Sequence, residues 1–237
     1  MARRLAIGRV ELSPDTPRIV AAGGDAELEA LASADGADLV ELRADLFADP
    51  RPEPVANALA GLRSAGRPII LTVRAAAEGG RALDDARRLA IYDAGLAHAA
   101  AIDVEIASEA LAASLVPRAK AAGRLVILSA HALDATPSAR ALLALVDRAE
   151  ALGADVTKLA THARDLADVR TLLEVTLAAC ERGIVTLAMG PLGVSRILLP
   201  AAGSLLTYGY VGQPTAPSGQ LPVAELAALL RRLYGAR

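Results

Sequence analysis

The sequence predicts a (β/α)8 TIM barrel, an α/β fold in which a single domain spans residues 1–237. Three observations lead there. Eight short apolar runs alternate with longer Ala/Leu/Arg-rich segments whose apolar residues recur at three- and four-residue spacing. Eight such units in roughly 220 residues fit a closed barrel better than an open sheet. No Gly-x-Gly-x-x-Gly follows the first run, so the open dinucleotide-binding sheet loses its main signal. Nor does any Pro/Gly/Ser-rich linker divide the chain.

Ahead of the first unit, residues 2–14 are expected to form a short extension or hairpin over the barrel floor. The expected strands are 18–22, 38–43, 68–74, 101–106, 125–130, 156–160, 184–189 and 205–210. Helices are expected between and after them, for example over 81–97, 137–152 and 222–234. Asp25 and Thr136 read as helix starts, because a side-chain oxygen can accept from the free first-turn amides and Pro137 suits the first turn. Gly123, Gly153 and Gly183 stand where helices should stop.

Composition bounds the function. Hydrophobic residues make up 54% and charged residues 22%, a globular balance. Lys+Arg at 25 against Asp+Glu at 27 leaves a net charge of -2, with no basic excess for a nucleic-acid backbone. Aromatic residues are 4 Tyr, 1 Phe and 0 Trp, too few for stacking platforms. A lone Cys180 excludes an internal disulfide or a cysteine-rich metal cage, and reads as a small core residue of a helix. Arg9 and Glu11 interrupt any apolar leader, so no signal peptide is expected. The uncharged stretch 197–224 carries Pro200, Gly203, Gly209, Gly212, Pro214, Pro217 and Gly219, which rules it out as a clean membrane helix. A cytoplasmic enzyme with no membrane segment is the expectation.

Chemistry in such a barrel sits at the C-terminal ends of the strands, and this chain puts ionisable residues there. They are Glu41, Arg43 and Asp45; Arg74 and then Glu78; Asp103 and Glu105; His131; and Lys158. Period-two alternation puts Glu41, Arg43 and Asp45 on one face of their strand and Asp103 with Glu105 on one face of theirs. Asp103 and Glu105 by themselves read equally well as half of a structural salt bridge. Five consecutive strands bearing such groups read as a polar active-site layer, since unpaired buried charge is costly. Lys158 is flanked by Val156, Leu159 and Ala160, one of only two lysines beside Lys120. Burial near Arg43 and Arg74 is expected to favour its neutral amine, the form that attacks a ketone to give a Schiff base. His131, one strand earlier at the same level, is the natural base. His98 reads as structural and His162 as part of the loop rim.

These residues resemble those of the type I 3-dehydroquinate dehydratases. The resemblance runs through Glu-Leu-Arg-Ala-Asp at 41–45, Thr-Val-Arg-x3-Glu-Gly-Gly at 72–80 and Ile-Asp-Val-Glu at 102–105. It continues in Ser-x-His-x4-Thr-Pro at 129–137, Gly-Ala-Asp-x2-Lys-x-Ala at 153–160, Met-Gly at 189–190 and Ser195-Arg196. Gly-Ser-x2-Thr-Tyr at 203–208 and Ala-Pro-x-Gly-Gln at 216–220 complete it. It implies a homodimeric barrel of the shikimate pathway, with neither metal nor cofactor, that dehydrates 3-dehydroquinate to 3-dehydroshikimate by syn elimination. By match, Lys158 forms the imine, His131 moves the proton and Glu78 orients His131. Glu41, Arg43 and Arg74 match residues that bind ring hydroxyls, and Arg196 matches the partner of the substrate carboxylate. Met189 and Tyr208 match apolar walls, and Thr215, Ala216 and Gln220 match the closing loop.

The chain departs from the family pattern at Ala132, where Asp is frequent, in a spacing one residue shorter between Met189 and Arg196, and in Ser218, inserted into the closing loop. Either Thr215 or Ser218 supplies the loop hydroxyl, with Thr215 favoured. Two other readings stand beside this one: another Schiff-base barrel lyase such as an aldolase or transaldolase, and an inactive homologue that only binds.

Overall fold

The computed structural model describes residues 5–215 and 219–235. The chain opens with an antiparallel hairpin, β1 (Leu5–Ile7) and β2 (Val10–Leu12). The barrel strands follow as β3 (Arg18–Gly23), β4 (Leu39–Arg43), β5 (Ile69–Thr72), β6 (Ala101–Glu105), β7 (Leu125–Ala132), β8 (Val156–His162), β9 (Ile184–Met189) and β10 (Leu206–Tyr210). Between them run α1 (Leu28–Ala32), α2 (Pro52–Ser64), α3 (Asp85–Gly95), α4 (Glu109–Ala121), α5 (Ala139–Ala151), α6 (Leu166–Ala179) and α7 (Ser195–Ala201). A two-residue strand, β11 (Leu221–Pro222), leads into α8 (Val223–Tyr234).

Every pairing in the large sheet is parallel, in the order β11-β10-β3-β4-β5-β6-β7-β8-β9. Sequential parallel strands with helices outside make the barrel that the sequence predicts. Its seam lies between β9 and β10. There the Leu205 amide donates to Ile184 O at 3.0 Å, and Ser204 Oγ accepts from the Thr186 amide at 3.0 Å. Above that point β11 takes the free edge of β10, pairing Gly209 with Leu221 and Tyr210 with Pro222. The barrel is thus split at its upper rim, and the returning chain fills the split.

Element positions agree with expectation and boundaries shift by a few residues. Strands β7 and β8 run past their apolar stretches because their ladder continues through His131↔Ala160 and Ala132↔Thr161. Strand β5 is shorter than expected because the Val73 amide donates to Tyr92 Oη and the Arg74 amide to Asp45 Oδ1, side chains replacing a neighbouring strand. Two expected caps are corrected. Asp25 lies inside a short 3-10 turn and accepts from the Ala48 amide at 2.8 Å, while Glu27 reaches back to the Gly24 amide. Thr136 bonds Thr161 Oγ1 and His162 O, and Ser138 caps α5 instead. Gly123, Gly153 and Gly183 do end helices, with φ of 70°, 94° and 75°. Cys180 is half-buried in a 3-10 turn rather than in the core. No helix among the described residues is long and apolar enough to cross a membrane.

Apolar residues fill two shells. Between the strands and the helix layer lie Leu42, Leu59, Ile102, Leu115 and Leu226, and on the other side Leu159, Leu172 and Leu199. Inside the barrel the lower half is apolar, with Val20, Ile70, Ile127, Val156 and Leu206 packed on Ile7 and Leu12 of the hairpin. The hairpin therefore seals the floor, and the polar layer begins above it. Ile7→Ala is expected to reduce the unfolding free energy by about 2–5 kcal/mol, the range for truncating a fully buried isoleucine. Urea unfolding at an unchanged m-value measures it; a loss under about 0.5 kcal/mol would mean that the hairpin does not seal the floor.

Candidate active site

Above the floor, five neighbouring strands turn polar side chains inward: Glu41, Thr72, Asp103, Ser129 and Lys158. Lys158, 3% exposed, donates to Asp103 Oδ2 at 2.8 Å and to Glu41 Oε1 at 3.3 Å. Thr72 Oγ1 donates to the same Glu41 oxygen at 2.8 Å, and Ser129 Oγ donates to Asp103 Oδ1 at 2.6 Å. Charges buried this deeply persist only when paired. The lysine's close neighbours are therefore two carboxylates, which corrects the expectation of a lysine set among arginines.

Arg74 organises that layer. Its Nη1 donates to Glu105 Oε1 at 2.9 Å and to Ser129 Oγ at 2.7 Å, and its Nη2 donates to Asp103 Oδ2 at 3.2 Å. Burial works to lower its pKa, but Asp103 and Glu105 overcome this and fix the cation. Burial likewise works to raise the pKa of Asp103, yet Arg74 and Lys158 hold it well below the usual carboxylate range. From the helix layer, Arg88 of α3 bonds Glu105 and donates to Val73 O at 3.0 Å. Tyr92, one turn on, donates to Asp103 O at 2.5 Å. Arg43 forks onto Asp45 at 2.9 and 2.7 Å.

His131 stands two residues above Ser129, the residue paired with Lys158, and so lies one pleat nearer the mouth than expected. Glu78 Oε2 accepts from its backbone amide at 2.9 Å and meets its Nδ1 at 2.8 Å. The loop that carries Glu78 folds back tightly. Gly79 has φ of 86°, and a Cβ on Gly80 would stand 2.0 Å from Arg74 O, so neither position tolerates a side chain. Burial raises the Glu78 pKa to about 7. Burial also depresses that of His131, helped by the charges of Arg74 and Lys158. Both shifts favour a neutral imidazole that shares one hydrogen with the carboxyl.

Arg196, near the start of α7, differs from the other buried cations. It is 2% exposed, donates from Nη1 to Tyr208 O at 3.3 Å, and leaves Nε buried without a partner. No described carboxylate pairs with it, and burial lowers its pKa to about 10. The Tyr208 hydroxyl is also buried without a partner, while its ring lies 4.1 Å from Lys158 Nζ. The wall expected to be apolar therefore has a polar end.

One cavity gathers eleven of the expected site residues: Glu41, Arg43, Arg74, Glu78, His131, Lys158, Met189, Arg196, Tyr208, Thr215 and Gln220. Ala216 and the alternative hydroxyl Ser218 lie outside the described residues. Thr215 and Gln220 clasp across that gap, the Thr215 amide donating to Gln220 Oε1 at 2.8 Å and Gln220 Nε2 donating to Thr215 Oγ1 at 3.0 Å. His98 lies in the turn after α3 and outside this cavity, and His162 ends β8 opposite Met189.

Sequence reasoning assigned no individual role to several groups that complete the polar layer. Asp103 and Glu105 were visible as a same-face pair on one strand, but their partners were not. Ser129 and Thr72 stood in the quoted motifs without a role, and Arg88 carried no signal, because their contacts span 26 to 31 residues or come from a helix outside the barrel.

Comparison with known proteins follows the same lines. A family model described as type I 3-dehydroquinase matches residues 21–237. A 3-dehydroquinate dehydratase of Methanocella arvoryzae is 38% identical over 220 residues, covering 92% of this chain and 97% of that one. The crystal structure of type I 3-dehydroquinate dehydratase from Clostridium difficile, with covalently modified comenic acid, superposes with a TM-score of 0.90 at 26% identity and covers 99% of both chains. That of 3-dehydroquinate dehydratase from Geobacillus kaustophilus gives 0.87 at 29% identity over 98% of this chain and 97% of that one. With a match over nearly its whole length and a barrel of the same form, the chain belongs to the type I 3-dehydroquinase family.

Proposed function

We propose that the chain, acting as one barrel domain, dehydrates 3-dehydroquinate to 3-dehydroshikimate through an imine on Lys158, as a cytoplasmic homodimer of the shikimate pathway. The observation that carries this reading is the pairing, in one cavity, of a buried amine set between two carboxylates with a neutral histidine hydrogen-bonded to Glu78. Lys158 gives up a proton and adds to the ring ketone as the neutral amine, and the carbinolamine takes that proton back on its hydroxyl, loses water and leaves an iminium. Its positive charge takes the place of the ammonium's between Asp103 and Glu41, so the cavity's charge balance is kept. The iminium acidifies the adjacent C2–H bond. His131 Nε2 takes that proton to give the enamine, whose electrons expel the C1 hydroxyl as His131 returns the proton to it. Water leaves, and hydrolysis of the product iminium restores Lys158.

The remaining residues position the ring. Arg196, without a counter-charge of its own, suits the substrate carboxylate through its planar fork. Arg43, Arg74 and Glu41 face the ring hydroxyls; Arg74 keeps its Nε–H and one Nη2 hydrogen beyond the contacts described. Met189 and the Tyr208 ring flank the carbocycle, and Thr215, Ala216 and Gln220 close over it.

Borohydride reduction in the presence of 3-dehydroquinate, read by intact mass and peptide mapping, tests the core of this reading. The expected result is a substrate-derived adduct on Lys158. Lys158→Ala loses both adduct and turnover, and His131→Ala keeps the adduct but loses about 10²–10⁴ in rate. An adduct in Lys158→Ala would move the nucleophile elsewhere. Arg196→Ala is expected to raise KM about 10- to 100-fold, the scale of one charge-assisted pair. An unchanged KM for 3-dehydroquinate removes the carboxylate assignment.

The Glu78 shift sets the sign of a pH effect. Below about pH 7 the protonated carboxyl donates to Nδ1 and leaves the hydrogen on Nε2; above it the carboxylate accepts from Nδ1–H and frees the Nε2 lone pair. The kcat/KM profile is expected to rise through pH 7, and Glu78→Gln to lose that limb. The same limb in the Gln variant would assign the ionisation to another group.

A further inference from the structure

At the end of the barrel opposite the active site, the floor carries a second concavity of about 400 Å³. Four arginines line it, each from a different segment: Arg9 from the β1–β2 turn, Arg63 from the last turn of α2, Arg67 from the α2–β5 loop and Arg124 from the α4–β7 loop. His98, from the α3–β6 turn, completes the lining, and no Asp or Glu contributes to it.

Backbone carbonyls, rather than acids, hold three of these arginines in place. Arg67 donates to Ala37 O at 3.2 Å and Ala32 O at 2.9 Å, Arg124 to Leu96 O at 2.8 Å, and Arg63 to Ala97 O at 3.4 Å. None of the four is ion-paired with a described residue. Other surface arginines here do take acids: Arg118 pairs with Asp93 at 2.7 Å, and Arg182 with Asp147 at 2.7 Å and Glu150 at 2.6 Å. His98 lines the concavity, and its Nδ1 is buried without a hydrogen-bond partner. Gly8 seats the β1–β2 turn on Pro68, where a Cβ would come within 3.1 Å, and so brings Arg9 over the same space.

Four arginines lining one concavity, with no acid among the lining residues, concentrate positive charge there and favour an anion. Their forked N–H groups offer more donors than one phosphoryl group can use. We propose that this floor groove is a binding site for a small anion with two adjacent phosphoryl groups, of the diphosphate class. A long polyanion fits less well, because the chain's net charge of -2 repels it outside the patch.

Isothermal titration with pyrophosphate, at ionic strength fixed with sodium chloride, tests the site. Wild-type protein is expected to bind one equivalent, about tenfold or more tightly than orthophosphate. The double variant R9Q/R63Q, with both substitutions on exposed side chains, should bind about tenfold or more weakly and keep its turnover. R196A should bind pyrophosphate like wild type. Absence of binding at millimolar concentration, or equal affinity in R9Q/R63Q, overturns the proposal. So does loss of binding in R196A, which would place the anion in the active-site cavity. Orthophosphate binding as tightly as pyrophosphate overturns the diphosphate class, and tighter binding of a single-stranded DNA oligonucleotide overturns the small ligand.

Discussion

Arg74 is the side chain on which the rest of the site depends. A guanidinium with 2% exposure cannot be hydrated, so its charge must be met within reach, and Asp103, Glu105 and Ser129 meet it from two other strands. Those contacts hold Asp103 ionised at the point where Lys158 needs a counter-charge. Arg88 then satisfies the second oxygen of Glu105 from outside the barrel. Four cations, Arg43, Arg74, Arg88 and Lys158, face four carboxylates, Glu41, Asp45, Asp103 and Glu105, and the buried layer is close to neutral. Replacing any one of them would strand a charge in a low-dielectric interior.

That neutrality gives the two remaining groups their meaning. The His131–Glu78 pair adds a single shared hydrogen, with both shifts pointing to uncharged partners below about pH 7. Arg196 adds a cation that nothing described balances. A cavity with one uncompensated positive charge and a neutral base suits an anionic ligand with a proton to give up. Its walls are positioned by backbone detail: the seam between β9 and β10 admits the returning chain, where Gly219 has φ of 72° and a Cβ would stand 1.9 Å from Gly190 O. Gln220 is delivered to the mouth by that close approach.

The two ends of the barrel handle arginine in opposite ways. At the mouth, nearly every guanidinium is locked to a carboxylate and is a fixed part of the layer. On the floor, Arg63, Arg67 and Arg124 are steered by carbonyls, Arg9 is carried in by the β1–β2 turn, and none of the four is ion-paired with a described residue. In between lies the apolar plug of Ile7, Leu12, Val20 and Ile70, which separates two sites of different character.

Much of this protein was legible in its sequence. Alternation of apolar runs with amphipathic segments determined the barrel, because strand and helix periods are local properties of the chain. Ordered motifs around Glu41, Arg74, Glu78, His131, Lys158 and Arg196 determined which residues meet, since a barrel brings every strand end to one mouth. Caps and strand ends were less legible: Thr136 and Ser138 compete for one helix start, and hydrogen bonding carries β7 and β8 past the point where apolar character stops. Only the tertiary structure decided the neighbours of Lys158, the height of His131, the role of Arg88 and the convergence of four arginines on the floor. These rest on strand register and on which helix packs over which strand, so residues far apart in the chain meet at distances that no local pattern encodes.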